Sequence, residues 1–184
     1  NISEENKDEI ENFDEEIDGY YIKVNYQENV VTIYIKDAEG NYTRPYKAMV
    51  CSTGVSTPTS GVYKMSDRGK WGLMVGGVYA QYYTRITGAI LFHSVPYTTK
   101  SPYTLEYWEY DKLGTTASAG CVRLTVEDAK WIYDNCKSGT QVEFYADSDP
   151  GPLEKPTAQK ISDADESLRG WDPTDIDPAN PWNN

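Results

Sequence analysis

The chain of 184 residues is poor in histidine, phenylalanine and cysteine, with one, three and three respectively. A single histidine, His93, argues against a zinc or di-metal site built on imidazoles, which needs several N or S ligands at set spacings. Three cysteines, Cys51, Cys121 and Cys136, leave at least one thiol unpaired in a monomer. Nowhere does an apolar run approach the roughly 20 residues of a membrane-spanning helix. Basic residues are also scarce: 17 Lys and Arg face 29 Asp and Glu, for a net charge of −12. That balance argues against a nucleic-acid partner and against a polybasic anchor on anionic lipid. The sequence opens at Asn1 with no Met and no secretory n/h-region, so it reads as a fragment or a mature form.

The charge is unevenly placed. Residues 1–19 hold nine acids and one base, and residues 147–184 hold nine acids and three bases, giving −8 and −6. Residues 20–146 are close to neutral, with 13 bases and 11 acids. Exclusion of nucleic acid therefore rests on the lack of a basic cluster rather than on net charge. Three segments follow: an acidic N-terminal stretch (1–19), a central domain (20–146) and an acidic, proline-rich tail (147–184).

The central domain reads as mainly β. Sixteen tyrosines suit strands whose rings keep one polar end near water. Candidate strands are Tyr20–Val24, Val30–Ile35, Tyr46–Cys51, Val62–Met65, Trp71–Val75, Val78–Tyr83, Ala89–His93 and Gln141–Tyr145. Many short strands suggest a sandwich or barrel rather than a βαβ fold. One helix is clearly signalled. Thr125 can cap it, Asp128 stands three residues on, and Val126, Ala129, Ile132, Tyr133 and Cys136 share one face. Gly139 is then a candidate C′ residue. A shorter helix is expected over Leu105–Lys112, ending at Gly114. After Tyr145, six prolines among acids predict an extended, solvated tail with Trp171 and Trp182 as docking points. Asp172, Asp175 and Asp177 match no calcium-loop spacing. A disulfide between Cys51 and Cys136 finds no support in the sequence.

Chemistry concentrates in Ser118-Ala119-Gly120-Cys121-Val122-Arg123-Leu124. Glycine beside the cysteine permits close approach of a substrate to the backbone. Turn amides can face a developing oxyanion. Arg123 favours the thiolate or binds a carboxylate. Cys121 is thus either a nucleophile or a small buried hydrophobe. If it is a nucleophile with an imidazole base, the base is His93, at the end of Ala89-Ile90-Leu91-Phe92. The backbone carbonyl of Ser94 could then orient the ring. Tyr79, Tyr82, Tyr83, Tyr97 and Trp108 are either cleft-lining or packing residues.

Phe92-His93-Ser94, Leu113-Gly114 and Ser118 to Leu124 together resemble the signature of the bacterial L,D-transpeptidase catalytic domain (the YkuD type). Upstream, Ser52-Thr53-Gly54 and Thr57-Pro58-Thr59-Ser60-Gly61-Val62-Tyr63 are similar to the family's Ser-Thr-Gly and Thr-Pro-Thr-Gly-x-aromatic segments. The likeness covers residues 20–146 with its elements in order. Two departures stand out. Ala119 replaces the family's usual second histidine, and 28 positions separate His93 from Cys121, more than in compact members. The extra length, Tyr97 to Tyr110, is expected to form part of a lid or rim over the cleft.

The resemblance implies a β-sandwich or barrel-like catalytic fold with one or two short helices. It implies a cysteine acyltransferase that needs no cofactor or metal, in which Cys121 attacks a donor stem peptide and His93 moves protons. Ser94 would hold the ring, and the amides of Gly120 and Cys121 would hold the oxyanion. Arg123, Ser118, Tyr97 and Trp108 would contact substrate. Peptidoglycan stem peptides are the implied partners, carbapenems the implied inhibitors, and the outer face of the bacterial envelope the implied location. Any membrane attachment would come through a segment absent from this chain. The alternatives are an L,D-carboxypeptidase or another cysteine peptidase, a sortase-like enzyme, and a non-catalytic wall-binding module. A sortase fits less well, because its cysteine follows a Thr-x-Thr strand.

Overall fold

A computed structural model describes residues 17–184; most of the acidic N-terminal stretch (1–19) lies outside the described residues. Among the described residues, nine strands form two sheets. The first contains β1 (Tyr21–Asn25), β2 (Val30–Lys36), β3 (Tyr42–Val50), β4 (Val62–Lys64) and β9 (Gln141–Tyr145), in the order β3-β2-β1-β9-β4. The second contains β5 (Arg68–Met74), β6 (Val78–Thr87), β7 (Ile90–Ser94) and β8 (Val122–Leu124), in that order. Helices α1 (Tyr107–Tyr110), α2 (Val126–Asn135) and α3 (Glu166–Arg169) complete the fold with a 3-10 turn at Pro181–Asn183.

Alternation drives this arrangement. Ile22 and Val24 of β1 pair with Ile33 and Val31 of β2 and with Val142 and Phe144 of β9, and all six are buried. The period of two thus lays one apolar row along the sheet. On α2, Val126, Ala129 and Ile132 form the inward stripe against the second sheet. The Thr125 hydroxyl caps this helix, accepting the Asp128 amide at 3.2 Å. The Asp128 carboxylate instead faces Lys47 at 3.8 Å, and burial raises its pKa to about 6. The helix closes at Cys136 rather than at Gly139. Gly139 is left-handed (φ 94°), as expected, but it serves the turn into β9.

Residues 147–160 of the tail are largely exposed, as expected, but the rest docks on the domain. Ile161 is fully buried in the core, and its amide bonds the Asp111 carboxylate at 2.7 Å. Gly170 accepts from the Leu105 amide, and the Trp182 indole donates to the Leu168 carbonyl at 2.8 Å. Asp172 is fully buried: its Oδ2 accepts the Val126 amide at 2.9 Å, and its Oδ1 accepts the amide and hydroxyl of Thr174. Asp172 thus caps an amide of the domain, while Asp175 and Asp177 accept amides within the tail. The three cysteines are all free thiols.

Candidate active site

β7 and β8 run parallel with Phe92 opposite Val122, His93 opposite Arg123 and Ser94 opposite Leu124. Phe92, Ser94, Val122 and Leu124 point to the core and are fully buried. Strand alternation turns His93 and Arg123 to the other face, together with Leu91 and, one residue before β8, Cys121. These residues line a cleft of about 530 Å³ whose further walls are Leu73, Met74, Val75, Val78, Ile90 and Pro96. β8 itself was not foreseen, because its three residues lie inside the signature segment.

The loop carrying Cys121 is held from below by Ser52 to Thr57. Ser52 and Arg123 exchange two backbone bonds at 2.9 and 3.0 Å. The Thr53 carbonyl accepts from the amides of Ala117 and Ser118, and Ala119 accepts from Ser56. The Thr57 hydroxyl donates to the Gly120 carbonyl at 2.6 Å, and that of Ser118 to the Cys121 carbonyl at 2.6 Å. At Gly54 the approach is so close that a Cβ would lie 2.0 Å from the Ser118 carbonyl oxygen, so only glycine fits. The upstream Ser-Thr-Gly segment is therefore a brace for the cysteine loop.

His93 is buried, and its Nδ1 lies 2.5 Å from the Ser94 carbonyl oxygen. A carbonyl only accepts, so Nδ1 carries the proton and Nε2 is left as the basic nitrogen. Burial pushes the imidazole pKa down to about 4; the Ser94 bond opposes this, and the Arg123 charge adds to it. The Cys121 thiol donates to the Ala89 carbonyl (3.2 Å) rather than to the ring. Burial raises its pKa, while the Leu91 amide, Arg123 and Arg85 pull it back. Burial thus disfavours the charged form of both the thiol and the imidazole.

Arg123 is bound to Glu109 of α1 at 2.8 Å, with both side chains mostly buried. Its guanidinium thus braces α1 against the loop. Ser118, Gly120 and Ala119 line the cleft. Tyr97 does not: it is fully buried, its hydroxyl accepts from Gln81 at 2.9 Å, and its ring packs edge-on against Trp71. Trp108 also lies away from the cleft lining, half-exposed on α1 against Tyr107. Nor do residues 97–110 form the rim; they pack under the tail, with Tyr103 against Trp171. The β5–β6 hairpin makes the rim instead. Its Tyr83 ring lies over Gly69 and Gly72, where any Cβ would clash with it. Tyr83 and Arg85 are cleft residues; the apolar-to-polar swing of β6 gave no sequence sign that Arg85 shares a face with Cys121. No group of three or more His, Cys, Asp or Glu that could hold a metal occurs among the described residues.

A buried imidazole and a thiol facing one cleft from adjacent strands define a cysteine–histidine site on a two-sheet scaffold. Residues 19–144 match the YkuD family model, the L,D-transpeptidase catalytic domain, and the chain belongs to that family. It is 38% identical over 132 residues to YciB of Bacillus subtilis (strain 168), a protein that bears an L,D-transpeptidase name; the match covers 66% of this chain and 63% of that protein. A solved fused Zn-dependent amidase/peptidase/peptidoglycan-binding domain-containing protein from Clostridium acetobutylicum ATCC 824 is similar at 27% identity and TM-score 0.50, covering 75% of this chain and 59% of the other. The L,D-transpeptidase LdtMt1, solved in complex with imipenem, shares the fold at 19% identity and TM-score 0.54, covering 69% and 59%. The chain thus spans less than two thirds of the length of these relatives.

Proposed function

We propose that this domain is a cysteine acyltransferase that joins peptidoglycan stem peptides by 3→3 cross-links. The observation that carries the reading is the shared cleft face of His93 and Cys121, with Ser94 fixing the tautomer of the ring. In the first half-reaction, the Cys121 sulfur attacks the carbonyl of the donor's L,D bond as Nε2 of His93 takes the thiol proton. A thioester forms, the C–N bond breaks, and the proton leaves on the amine of the released D-alanine. An acceptor amine then attacks the thioester, gives its proton to His93, and restores the thiol. The amides of Gly120 and Cys121 stabilise the oxyanion in both steps. A neutral imidazole suits this sequence, since the base enters each cycle unprotonated.

The mainly apolar cleft leaves room for a peptide. Carbapenems are read as acylating the same sulfur; a protein of this fold has been solved with imipenem. We place the activity at the outer face of the bacterial envelope, where such stems occur. Incubation with a tetrapeptide donor and a diamino-acid acceptor, followed by mass spectrometry, tests the reading. Cross-linked dimer and free D-alanine are expected, with both lost in Cys121→Ala. Release of D-alanine with no dimer at high acceptor would favour the carboxypeptidase alternative. No reaction with any donor would leave a wall-binding module.

A further inference from the structure

Two arginines, Arg85 and Arg123, line the cleft, and no Asp or Glu is among the described residues that line it. A low-dielectric pocket with cations and no carboxylate favours an anionic ligand group. The two arginines are not equivalent. Arg123 is tied to Glu109 with side chains only 17% and 16% exposed. Breaking such a pair strands a poorly solvated charge. Arg85 holds the Asp67 carboxylate through Nε at 2.7 Å and more loosely through Nη2 at 3.5 Å, but those side chains are 37% and 56% exposed. Solvent screens such a pair, so a substrate anion can compete for the guanidinium.

The position of Arg85 is also suited to reading substrate. It pairs with Leu91 across the β6–β7 ladder, and Leu91 neighbours Cys121 across the next. Arg85, Leu91 and Cys121 therefore occupy one row of the sheet, all lining the cleft. Two strand spacings, about 10 Å, separate the outer Cα atoms. Side chains from both ends close much of that distance, so a group a few bonds from the attacked carbonyl can meet the guanidinium. The Nη1 bond to the Gly88 carbonyl, 2.5 Å, steadies the head without using its charge.

We propose that Arg85 is a specificity-determining residue that takes a carboxylate of the donor peptide while the scissile carbonyl lies at Cys121. The assignment rests on the acyl-transfer reading above. Asp67 holds the guanidinium in place until the substrate carboxylate displaces it. A planar fork suits this role better than an ammonium, because it can hold both carboxylate oxygens. The carboxylate has two sources: the C-terminus of the leaving residue, or a side chain on the residue whose carbonyl is attacked.

Iodoacetate and iodoacetamide test the site without turnover. Each places a methylene carbon on the Cys121 sulfur with loss of iodide, and they differ only in carboxylate against amide. Both consume the same thiolate, so their rate ratio cancels the ionisation of the thiol. At low ionic strength, Arg85→Gln is expected to lower the iodoacetate-to-iodoacetamide ratio at Cys121 by about 5-fold. Arg85→Lys should retain most of it, and Asp67→Asn should raise it. Tetrapeptide donors carrying an amide at either candidate carboxylate then locate the source. Amidation at the recognised position should lower kcat/KM for wild type and make no difference to Arg85→Gln. An unchanged reagent ratio in Arg85→Gln, or an equal loss on free and amidated donors, overturns the assignment. If wild type turns over no donor while the reagent ratio still follows Arg85, the acyl-transfer reading fails and the carboxylate site stands.

Discussion

His93 and Arg123 stand opposite each other in the parallel ladder of β7 and β8, so a permanent positive charge sits beside the only imidazole in the chain. Burial, with that cation adding to it, holds the ring neutral down to about pH 4. The ordinary value of 6.5 applies once the chain unfolds. Between those limits the unfolded state binds more protons than the folded one. Stability present above pH 6.5 is therefore lost as the pH falls toward 4, by about 3 kcal/mol for the full shift. Urea unfolding at stepped pH should show this loss in wild type and a shallower dependence in His93→Gln. Proton NMR of the ring, titrated down from pH 7, should give a midpoint near 4; a midpoint near 6.5 would contradict the buried geometry.

The thiol makes the converse prediction. A nucleophilic cysteine is commonly recognised by alkylation below the pH of a free thiol, and the sequence suggested that signature here. The folded site points the other way, because burial outweighs the pull of Leu91, Arg123 and Arg85 on Cys121. The pH profile of iodoacetamide alkylation at Cys121 should thus have its midpoint above the ordinary thiol range in the free enzyme. Cys51 and Cys136, both buried, should react far more slowly in the folded protein. A midpoint below 8 would contradict the burial that raises this thiol.

Asp172 links the tail to the start of α2. Its carboxylate caps the first amide of α2, two residues beyond the end of β8, and ties down Thr174 as well. Asp172→Ala leaves the Val126 amide buried without a partner, which is expected to cost about 1–3 kcal/mol. Asp172→Asn keeps an acceptor and should lose less. Denaturant titration of the two variants distinguishes this cap from a tail that merely rests on the surface, for which both changes would be near zero.

Much of this was legible beforehand. The alternating strands β1 and β9, the β-branched run of β2 and the capped helix α2 follow from local pattern. Cys121, His93 and Ser94 are recognisable because they sit in short segments with distinctive neighbours. Long-range relationships were not. That Tyr97 points inward depends on Gln81 and Trp71, and neither is near it in sequence. That Arg85 joins the cleft depends on the β6–β7 register, which includes a bulge between Arg85 and Thr87. The tail looked solvated because its prolines and acids suit water; its burial comes from aspartates and asparagines used as caps, a role that composition does not reveal.

Gly54 offers the sharpest test of the brace beneath the cysteine loop. A methyl group there would meet the Ser118 carbonyl oxygen at 2.0 Å and its carbon at 2.5 Å, and both are backbone atoms that cannot rotate away. Gly54→Ala must therefore displace either the Ser52 to Thr57 segment or residues 117–121. Overpacking of this kind costs about 1–3 kcal/mol. Displacing the loop also moves the Cys121 sulfur relative to the His93 ring and the Gly120 and Cys121 amides. A shift near 1 Å at the reacting atoms is enough to slow chemistry about 100-fold. The expected outcome is a folded, modestly destabilised protein whose acylation rate falls far more than its stability does. Gly40→Ala serves as the control: Gly40 is left-handed (φ 86°) but has nothing within 4 Å, so the change should cost stability without costing the acylation rate.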